Sequence, residues 1–273
     1  MSKKINLLET GNMLLAAQKI FLFCHVSPDG DTLGSALGLA RLLEQKGKEV
    51  TVFVDDDINK SLSFIPGVDK VQRPEAGVIV EADLFVVVDA SSFDRVGICN
   101  EVVKAPVLLN IDHHISNTEF ADYLYLDAEA AAAGEIMCDL FEAMGWEYDE
   151  AIAVDFYTAI TTDCGSFRYS NTTSKTMQRA AKLLDYGVKP NEIGTGLFFQ
   201  RKHRLAAPLH RTRKEGAHHF LYRNKAAKSH NVRDFGMQSC NIHRRKRTPA
   251  MPHDRNIKPF KALVGLDGGN TIV

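Results

Sequence analysis

The feature of this sequence that most constrains its fold is the alternation of short apolar runs with longer segments of helical periodicity. Near-continuous apolar runs occupy residues 20–24, 50–54, 84–88 and 107–111, as expected for strands that are buried on both faces of a sheet. Apolar residues recur at helical spacing in residues 33–43, 136–144, 152–160 and 175–184. This order predicts an α/β fold, with a mostly parallel sheet and helices on both of its faces.

Three of the four predicted strands run directly into residues that can bind a metal or a substrate. His25 follows the first strand, Asp89 follows the third, and the triplet Asp112-His113-His114 follows the fourth. Ligands of open α/β sheets bind at the carboxyl ends of the strands. We therefore expect these residues, which are far apart in the sequence, to meet at one edge of the sheet.

The loop after the first predicted strand carries one imidazole and two carboxylates, on His25, Asp29 and Asp31. Gly30 allows the backbone to curl so that both carboxylates face inward, and Gly34 permits a close approach at the start of the next helix. These residues therefore suit a metal site. Taken alone, they are equally typical of an Asp-Gly turn with a helix cap.

The strand-end residues also have a structural and a functional interpretation. Asp89 follows five apolar residues, where a buried carboxylate needs a cation or hydrogen bonds; a strand-end cap is at least as good an explanation. For the triplet the functional interpretation is favoured, because neutral imidazole binds borderline metals and a neighbouring carboxylate can orient the ring. Adjacent histidines point in different directions, so one can bind metal while the other faces the substrate.

A further carboxylate, Asp163, lies at the end of a predicted helix, and Arg168 follows it closely enough to neutralise a phosphate oxygen. A helix C-terminal turn capped by Gly165 explains the same residues without any chemistry. The combination is more informative than its parts, because a two-metal phosphoesterase site needs about six or seven protein ligands with one bridging carboxylate. The candidate set supplies four aspartates and two histidines: His25, Asp29, Asp31, Asp89, His113 and Asp163.

These elements, in this order and spacing, resemble the DHH phosphoesterase superfamily, and most closely its bacterial nanoRNases, the bifunctional oligoribonucleases and phosphoadenosine-phosphate phosphatases. The likeness spans roughly residues 5–200, and we expect a DHH metal-binding catalytic domain over residues 1–190. The resemblance implies that His114 contacts the scissile phosphate and that Asp112 supports the triplet. It implies two metal groups that share Asp89: His25, Asp29 and Asp89 in one, and Asp31, Asp89, His113 and Asp163 in the other.

The resemblance also implies a chemistry and its cofactors. The expected activity is hydrolysis of short oligoribonucleotides to nucleoside 5′-monophosphates, together with removal of the 3′-phosphate from adenosine 3′,5′-bisphosphate. Mn²⁺ is the expected ion, with Mg²⁺ and Co²⁺ as alternatives, and the mixed imidazole and carboxylate ligands agree with it. Inorganic pyrophosphatase and cyclic-dinucleotide phosphodiesterase are alternatives in the same superfamily. The resemblance further implies a homodimer.

The C-terminal part of the chain departs from this pattern. Residues 1–200 have a net charge of −14, whereas residues 201–273 have a net charge of +13 and contain seven of the ten histidines. Only 14 of these 73 residues are Leu, Ile, Val or Phe, a composition typical of segments that do not fold alone. We expect residues 191–273 to form a linker and an atypical, diverged or frameshifted basic segment in place of the usual substrate-clamping domain. An inactive remnant, or a nucleic-acid-binding one, is then the alternative function.

Composition also excludes some classes of protein. The five cysteines have no paired spacing, which argues against a disulfide framework or a zinc ribbon and fits a reducing cytoplasm. No apolar run reaches the roughly 18 residues that a membrane span requires. We therefore expect a cytoplasmic protein with no membrane contact.

Overall fold

The computed structural model describes residues 2–199, and its centre is a six-stranded sheet in the order β1-β8-β7-β5-β2-β3. Every strand pair among the described residues is parallel. A separate two-stranded pair joins β4 and β6. The strands are β1 (Lys3–Lys4), β2 (Lys19–Phe23), β3 (Glu49–Phe53), β4 (Val80–Glu81), β5 (Leu84–Val88), β6 (Val103–Lys104), β7 (Leu108–Asp112) and β8 (Tyr123–Leu126).

The helices include all four that the sequence predicts. They are α1 (Leu7–Ala16), α2 (Gly30–Gln45), α3 (Cys99–Val102), α4 (Ala133–Met144), α5 (Glu150–Asp163), α6 (Ser174–Leu184) and α7 (Pro190–Gly194). Three short 3₁₀ helices cover Lys60–Leu62, Val68–Lys70 and Phe93–Val96, and a π-helical turn covers Thr195–Phe199. No helix among residues 2–199 is long and apolar enough to cross a membrane.

The prediction of a mostly parallel α/β sheet with helices on both faces is confirmed, although the two faces differ. Alternate residues of β2 enter different cores: Ile20 and Leu22 pack into the larger core, which includes residues of α1, α2, α4 and α5, while Phe21 and Phe23 pack into the smaller one. The smaller core is aromatic and is closed by residues 93–103, which include α3. The predicted catalytic domain boundary at residue 190 stays a prediction, and residues 200–273 of the predicted basic segment lie outside the described residues.

Close packing of α2 against α5 determines where the helix ends lie. Three glycines, Gly30, Gly34 and Gly38, recur every fourth residue along α2 and therefore lie on one face. A Cβ atom at Gly34 would collide with the carbonyl oxygen of Asp155 in α5, and one at Gly38 would collide with the Phe156 ring. The glycines allow the antiparallel helices to approach closely, which brings the first residues of α2 next to the last residues of α5.

Candidate metal centre

The candidate ligands meet at the carboxyl edge of the sheet because of strand register. Val88 at the end of β5 pairs with Ile111 of β7, and Phe23 at the end of β2 pairs with Val87. Residues that follow these strands therefore emerge side by side. The start of α2 and the end of α5 add Asp31 and Asp163 from the helical face of the sheet.

The first group of ligand atoms comprises His25, Asp29 and Asp89, whose donor atoms all lie within 4.8 Å of one another. The Nε2 atom of His25 is 3.8 Å from Asp29 Oδ1 and 3.6 Å from Asp89 Oδ2. The Nδ1 atom is 2.8 Å from the carbonyl oxygen of Val26, so Nδ1 carries the proton that it donates there. This assignment leaves the lone pair of Nε2 directed at the two carboxylates, as metal-binding histidines require.

The second group comprises Asp31, His113 and Asp163, again with donor atoms within 4.8 Å of one another. His113 Nε2 is 3.6 Å from Asp31 Oδ2 and 3.7 Å from Asp163 Oδ2. Its Nδ1 atom is 3.2 Å from the carbonyl oxygen of Ala130, which orients the ring in the same way as for His25. The two histidines therefore present equivalent nitrogen atoms to two different sets of carboxylates.

Asp89 faces both groups. Its Oδ2 atom is turned to His25, and its Oδ1 atom is 3.3 Å from His113 Nε2. Within residues 2–199, the buried Oδ1 atom has no hydrogen-bond partner, which is costly for a carboxylate oxygen. Asp89 also has a left-handed backbone, with φ of 60°, a conformation that costs about 1–3 kcal/mol and concentrates at functional sites. A cation between the groups would satisfy the buried oxygen, so these residues fit a metal.

The charges of the site also favour a bound metal. Burial opposes protonation of His113, but the neighbouring carboxylates of Asp89 and Asp31 outweigh it and raise the His113 pKa to about 10. Burial raises the pKa of Asp163 to about 6, against the opposing effect of His113. Several carboxylates lie close together here with little access to solvent, and divalent cations would neutralise their negative charge.

Asp31 is held rigidly by the start of α4. Its carboxylate accepts hydrogen bonds from the backbone N–H groups of Ala133 at 2.7 Å and Gly134 at 2.9 Å, and from the Ser35 hydroxyl at 3.1 Å. Burial, followed by the charge of Asp89, raises the Asp31 pKa well above its usual range. The helix N-terminus therefore fixes the position of this carboxylate without neutralising it.

Asp112 and His114, the other two residues of the triplet, are oriented by hydrogen bonds that include two asparagine side chains. His114 Nδ1 is 2.7 Å from Asp112 Oδ1, and Asn117 donates a hydrogen bond to Asp112 Oδ2 at 2.6 Å. The same Asn117 amide lies 2.7 Å from Asn110 Oδ1, and Asn110 donates to the carbonyl oxygens of Val87 and Ala90, on either side of Asp89. This network ties the ends of β5 and β7 together. Sequence reasoning missed Asn117, although a buried Asn110 inside an apolar strand was a signal that such a network exists.

The structure does not bring Arg168 into either ligand group. Its Nε atom donates to the carbonyl oxygen of Gly165 at 2.8 Å, and the side chain is exposed in the turn that follows α5. It lines a cavity together with Thr161 and Thr162, which directly precede Asp163. The predicted role of Arg168 at a phosphate oxygen stays a prediction.

The family of the chain follows from a match to a known domain. A family model described as "DHH family, N-terminal domain" matches residues 19–162, more than half of the sequence. The chain belongs to the DHH family. The DHH match contains five of the six candidate metal ligands, and Asp163 directly follows it.

Relatives of this DHH chain have names that describe an activity. It is 37% identical over 184 residues to the bifunctional oligoribonuclease and PAP phosphatase NrnA of Thermus thermophilus, covering 66% of this chain and 54% of that protein. It is 30% identical over 182 residues to the protein of the same name in Bacillus subtilis, covering 66% and 56%. The chain thus spans about half the length of the curated relatives it matches.

The DHH fold also has a counterpart among solved structures. The crystal structure of an exopolyphosphatase-related protein from Bacteroides fragilis superposes with a TM-score of 0.66 at 26% sequence identity, covering 71% of this chain and 60% of that one. This agreement confirms the fold class that the alternation of strands and helices predicts.

Proposed function

We propose that this chain is a two-metal phosphoesterase that hydrolyses short oligoribonucleotides to nucleoside 5′-monophosphates and removes the 3′-phosphate of adenosine 3′,5′-bisphosphate. Its DHH family membership and the names of its relatives support the proposal. The observation that carries it is Asp89, whose two carboxylate oxygens face two separate groups of candidate ligands.

In this proposal the two groups would hold one cation each, and Asp89 would contribute a carboxylate oxygen to both groups. His25 and Asp29 complete the first group; Asp31, His113 and Asp163 complete the second. When bound, a pair of divalent ions lowers the pKa of water for attack on phosphorus and stabilises the leaving oxygen. Mn²⁺ suits ligands that are part imidazole and part carboxylate.

The protein itself positions the groups around the phosphate and sets their protonation. The hydrogen bond that His114 donates to Asp112 raises the pKa of His114, against the opposing effect of burial, and so favours its protonated form. In that form His114 can donate from Nε2 to a phosphate oxygen, since its Nδ1 is directed at Asp112. Because the His114 side chain is 41% exposed, that donor can reach a substrate that approaches from solvent.

The test is Mn²⁺-dependent cleavage of a diadenylate and of adenosine 3′,5′-bisphosphate by the full chain and by Asp89→Asn. We expect the substitution to reduce hydrolysis by at least about a hundredfold, since even outer partners of metal ligands cost 10–100-fold. Asp185→Asn changes the same chemical group on the exposed surface beyond α6, and it should keep wild-type rates. A wild-type chain that cleaves neither substrate, or an Asp89→Asn variant as active as the wild type, contradicts the proposal.

A further inference from the structure

A cavity of about 320 Å³ lies beside the candidate metal centre. Three segments wall it: the 3₁₀ helix that contains Ser61, the end of α5 with the turn after it, and the π-helical turn that contains Leu197. Its volume is at the small end of the range for ligand sites. The described residues that line it are Ser61, Thr161, Thr162, Gly165, Ser166, Arg168, Tyr169 and Leu197.

The lining has the chemistry of an anion site. Arg168 is the charged residue among the described lining residues, none of which is acidic, and five of the others carry hydroxyl groups. A guanidinium among hydroxyl groups suits a phosphate group, which accepts several hydrogen bonds and carries negative charge.

The cavity borders the metal centre because the two share the α2 and α5 contact. Thr162, which lines the cavity, packs its side chain against Gly30, between Asp29 and Asp31. Asp163 is the next residue along α5. The cavity therefore lies next to the candidate metal ligand Asp163.

The turn that carries Arg168 is held in an unusual conformation. Gly165, Ser166 and Phe167 are three consecutive residues with positive φ, at 57°, 57° and 62°. A Cβ atom at Gly165 would collide with the Tyr169 ring, so the ring packs directly on the turn. The Ser166 N–H donates to the Thr161 carbonyl at 2.8 Å. These contacts fix Ser166 and Arg168 at the cavity although both are in a turn.

We propose that this cavity binds the second phosphate of the substrate, the one that is not cleaved, with Arg168 as its charged ligand. This proposal rests on the proposed function. For adenosine 3′,5′-bisphosphate, the 3′-phosphate lies at the metal centre and the 5′-phosphate lies in the cavity. Arg168 therefore determines specificity for doubly phosphorylated nucleosides.

The experiment compares two substrates that differ only in the second phosphate: adenosine 3′,5′-bisphosphate and adenosine 3′-monophosphate. The full chain with Mn²⁺ should have a higher kcat/KM for the bisphosphate. Arg168→Gln should reduce this preference about tenfold to hundredfold, the usual effect of losing a charged hydrogen bond, mainly through KM. Arg73→Gln is the matched control, because Arg73 pairs with Asp55 and Asp57 on the exposed surface.

The outcomes separate the two proposals. Hydrolysis of both substrates at equal efficiency, or an unchanged preference in Arg168→Gln, overturns the cavity assignment and leaves the proposed function standing. If the wild type hydrolyses neither of these nucleotides, the phosphatase part of the proposed function is wrong, and calorimetric titration of both nucleotides into the Mn²⁺-loaded chain then decides the cavity alone. Tighter binding of the bisphosphate that Arg168→Gln abolishes supports the assignment; equal binding, or none, overturns it.

Discussion

Two clusters of carboxylates lie at the start of α4, and their negative charge is compensated in different ways. In one, Lys175 Nζ lies 2.6 Å from Asp139 Oδ2 and 3.5 Å from Glu135 Oε1, and Arg179 lies 2.7 Å from Asp139 Oδ1. In the other, which surrounds Asp89, the structure records no Lys or Arg within 4.0 Å of the four candidate ligand carboxylates in residues 2–199, only histidines. We call these the lysine cluster and the metal cluster.

The difference shows how to distinguish a structural carboxylate cluster from a metal site. The lysine cluster contains its own cations, and the Thr176 hydroxyl also donates to Glu135 at 2.8 Å. In the metal cluster the ion-pair partners of the carboxylates among residues 2–199 are histidines, which themselves bind cations. Acidic residues alone are therefore uninformative; what matters is whether the chain supplies the positive charge itself.

The largest expected effect is on activity, and it should appear in only one cluster. His113→Gln removes the imidazole that faces both Asp31 and Asp89, so Mn²⁺-dependent hydrolysis should fall by at least about a hundredfold. Lys175→Met removes the central cation of the lysine cluster, and the folded fraction should keep activity within a few-fold of wild type. Steady-state kinetics on a diadenylate measures both. Equal losses in the two variants would show that the clusters do not differ in function.

The second effect is on stability, and it concerns the lysine cluster. Lys175→Met leaves Glu135 and Asp139 with less compensation, and we expect a loss of about 1–3 kcal/mol in the free energy of unfolding. This is below the value for a fully buried pair, because the Lys175 side chain is 42% exposed. Urea denaturation in EDTA measures it. Lys189→Met removes an exposed pair with Glu192 and should cost less than about 0.5 kcal/mol. Equal effects of both lysines would mean that the cluster contributes no more than a surface pair.

The sequence predicted the long elements well because their burial leaves a periodic signal. β2, β5 and β7 and the four long helices after residue 29 are recognisable from apolar spacing alone. β1 has only two residues, both exposed, and β8 has only four residues, one of them buried; these strands are too short for a period to be visible. α1 contains Gly11, whose Cβ would collide with the Met144 side chain, so tertiary packing favours a glycine that helix propensity does not.

The candidate site also contains residues that the sequence could predict and residues that it could not. The strand-end residues His25, Asp89 and His113 were predictable because parallel strands align their carboxyl ends. The role of Asn117 was not, because it depends on a loop that folds back toward Asn110 and Asp112. The conformation of the turn at Arg168 could not be predicted from the sequence either, since it requires three consecutive left-handed residues, two of which are not glycine.

The smallest expected effect is a pH dependence of the affinity for Mn²⁺, which should depend on the metal cluster and not on the lysine cluster. Burial raises the pKa of Asp163 to about 6, above the value of about 3.9 for an unfolded chain. Its proton therefore stabilises the metal-free fold at low pH, and that stabilisation is lost as the pH rises from about 4 to about 6. Because a metal must displace this proton, the apparent affinity for Mn²⁺ should increase about tenfold between pH 5 and pH 7.

The raised pKa of His113 acts in the same direction, so tenfold is a lower limit for this pH interval. Calorimetric titration of Mn²⁺ at the two pH values measures the effect. Lys175→Met serves as the control, because a change in the lysine cluster should leave the pH dependence of Mn²⁺ affinity unchanged. An affinity that is equal at pH 5 and pH 7 would mean that no proton leaves when the cation binds, and the carboxylates around Asp89 would then not be its ligands.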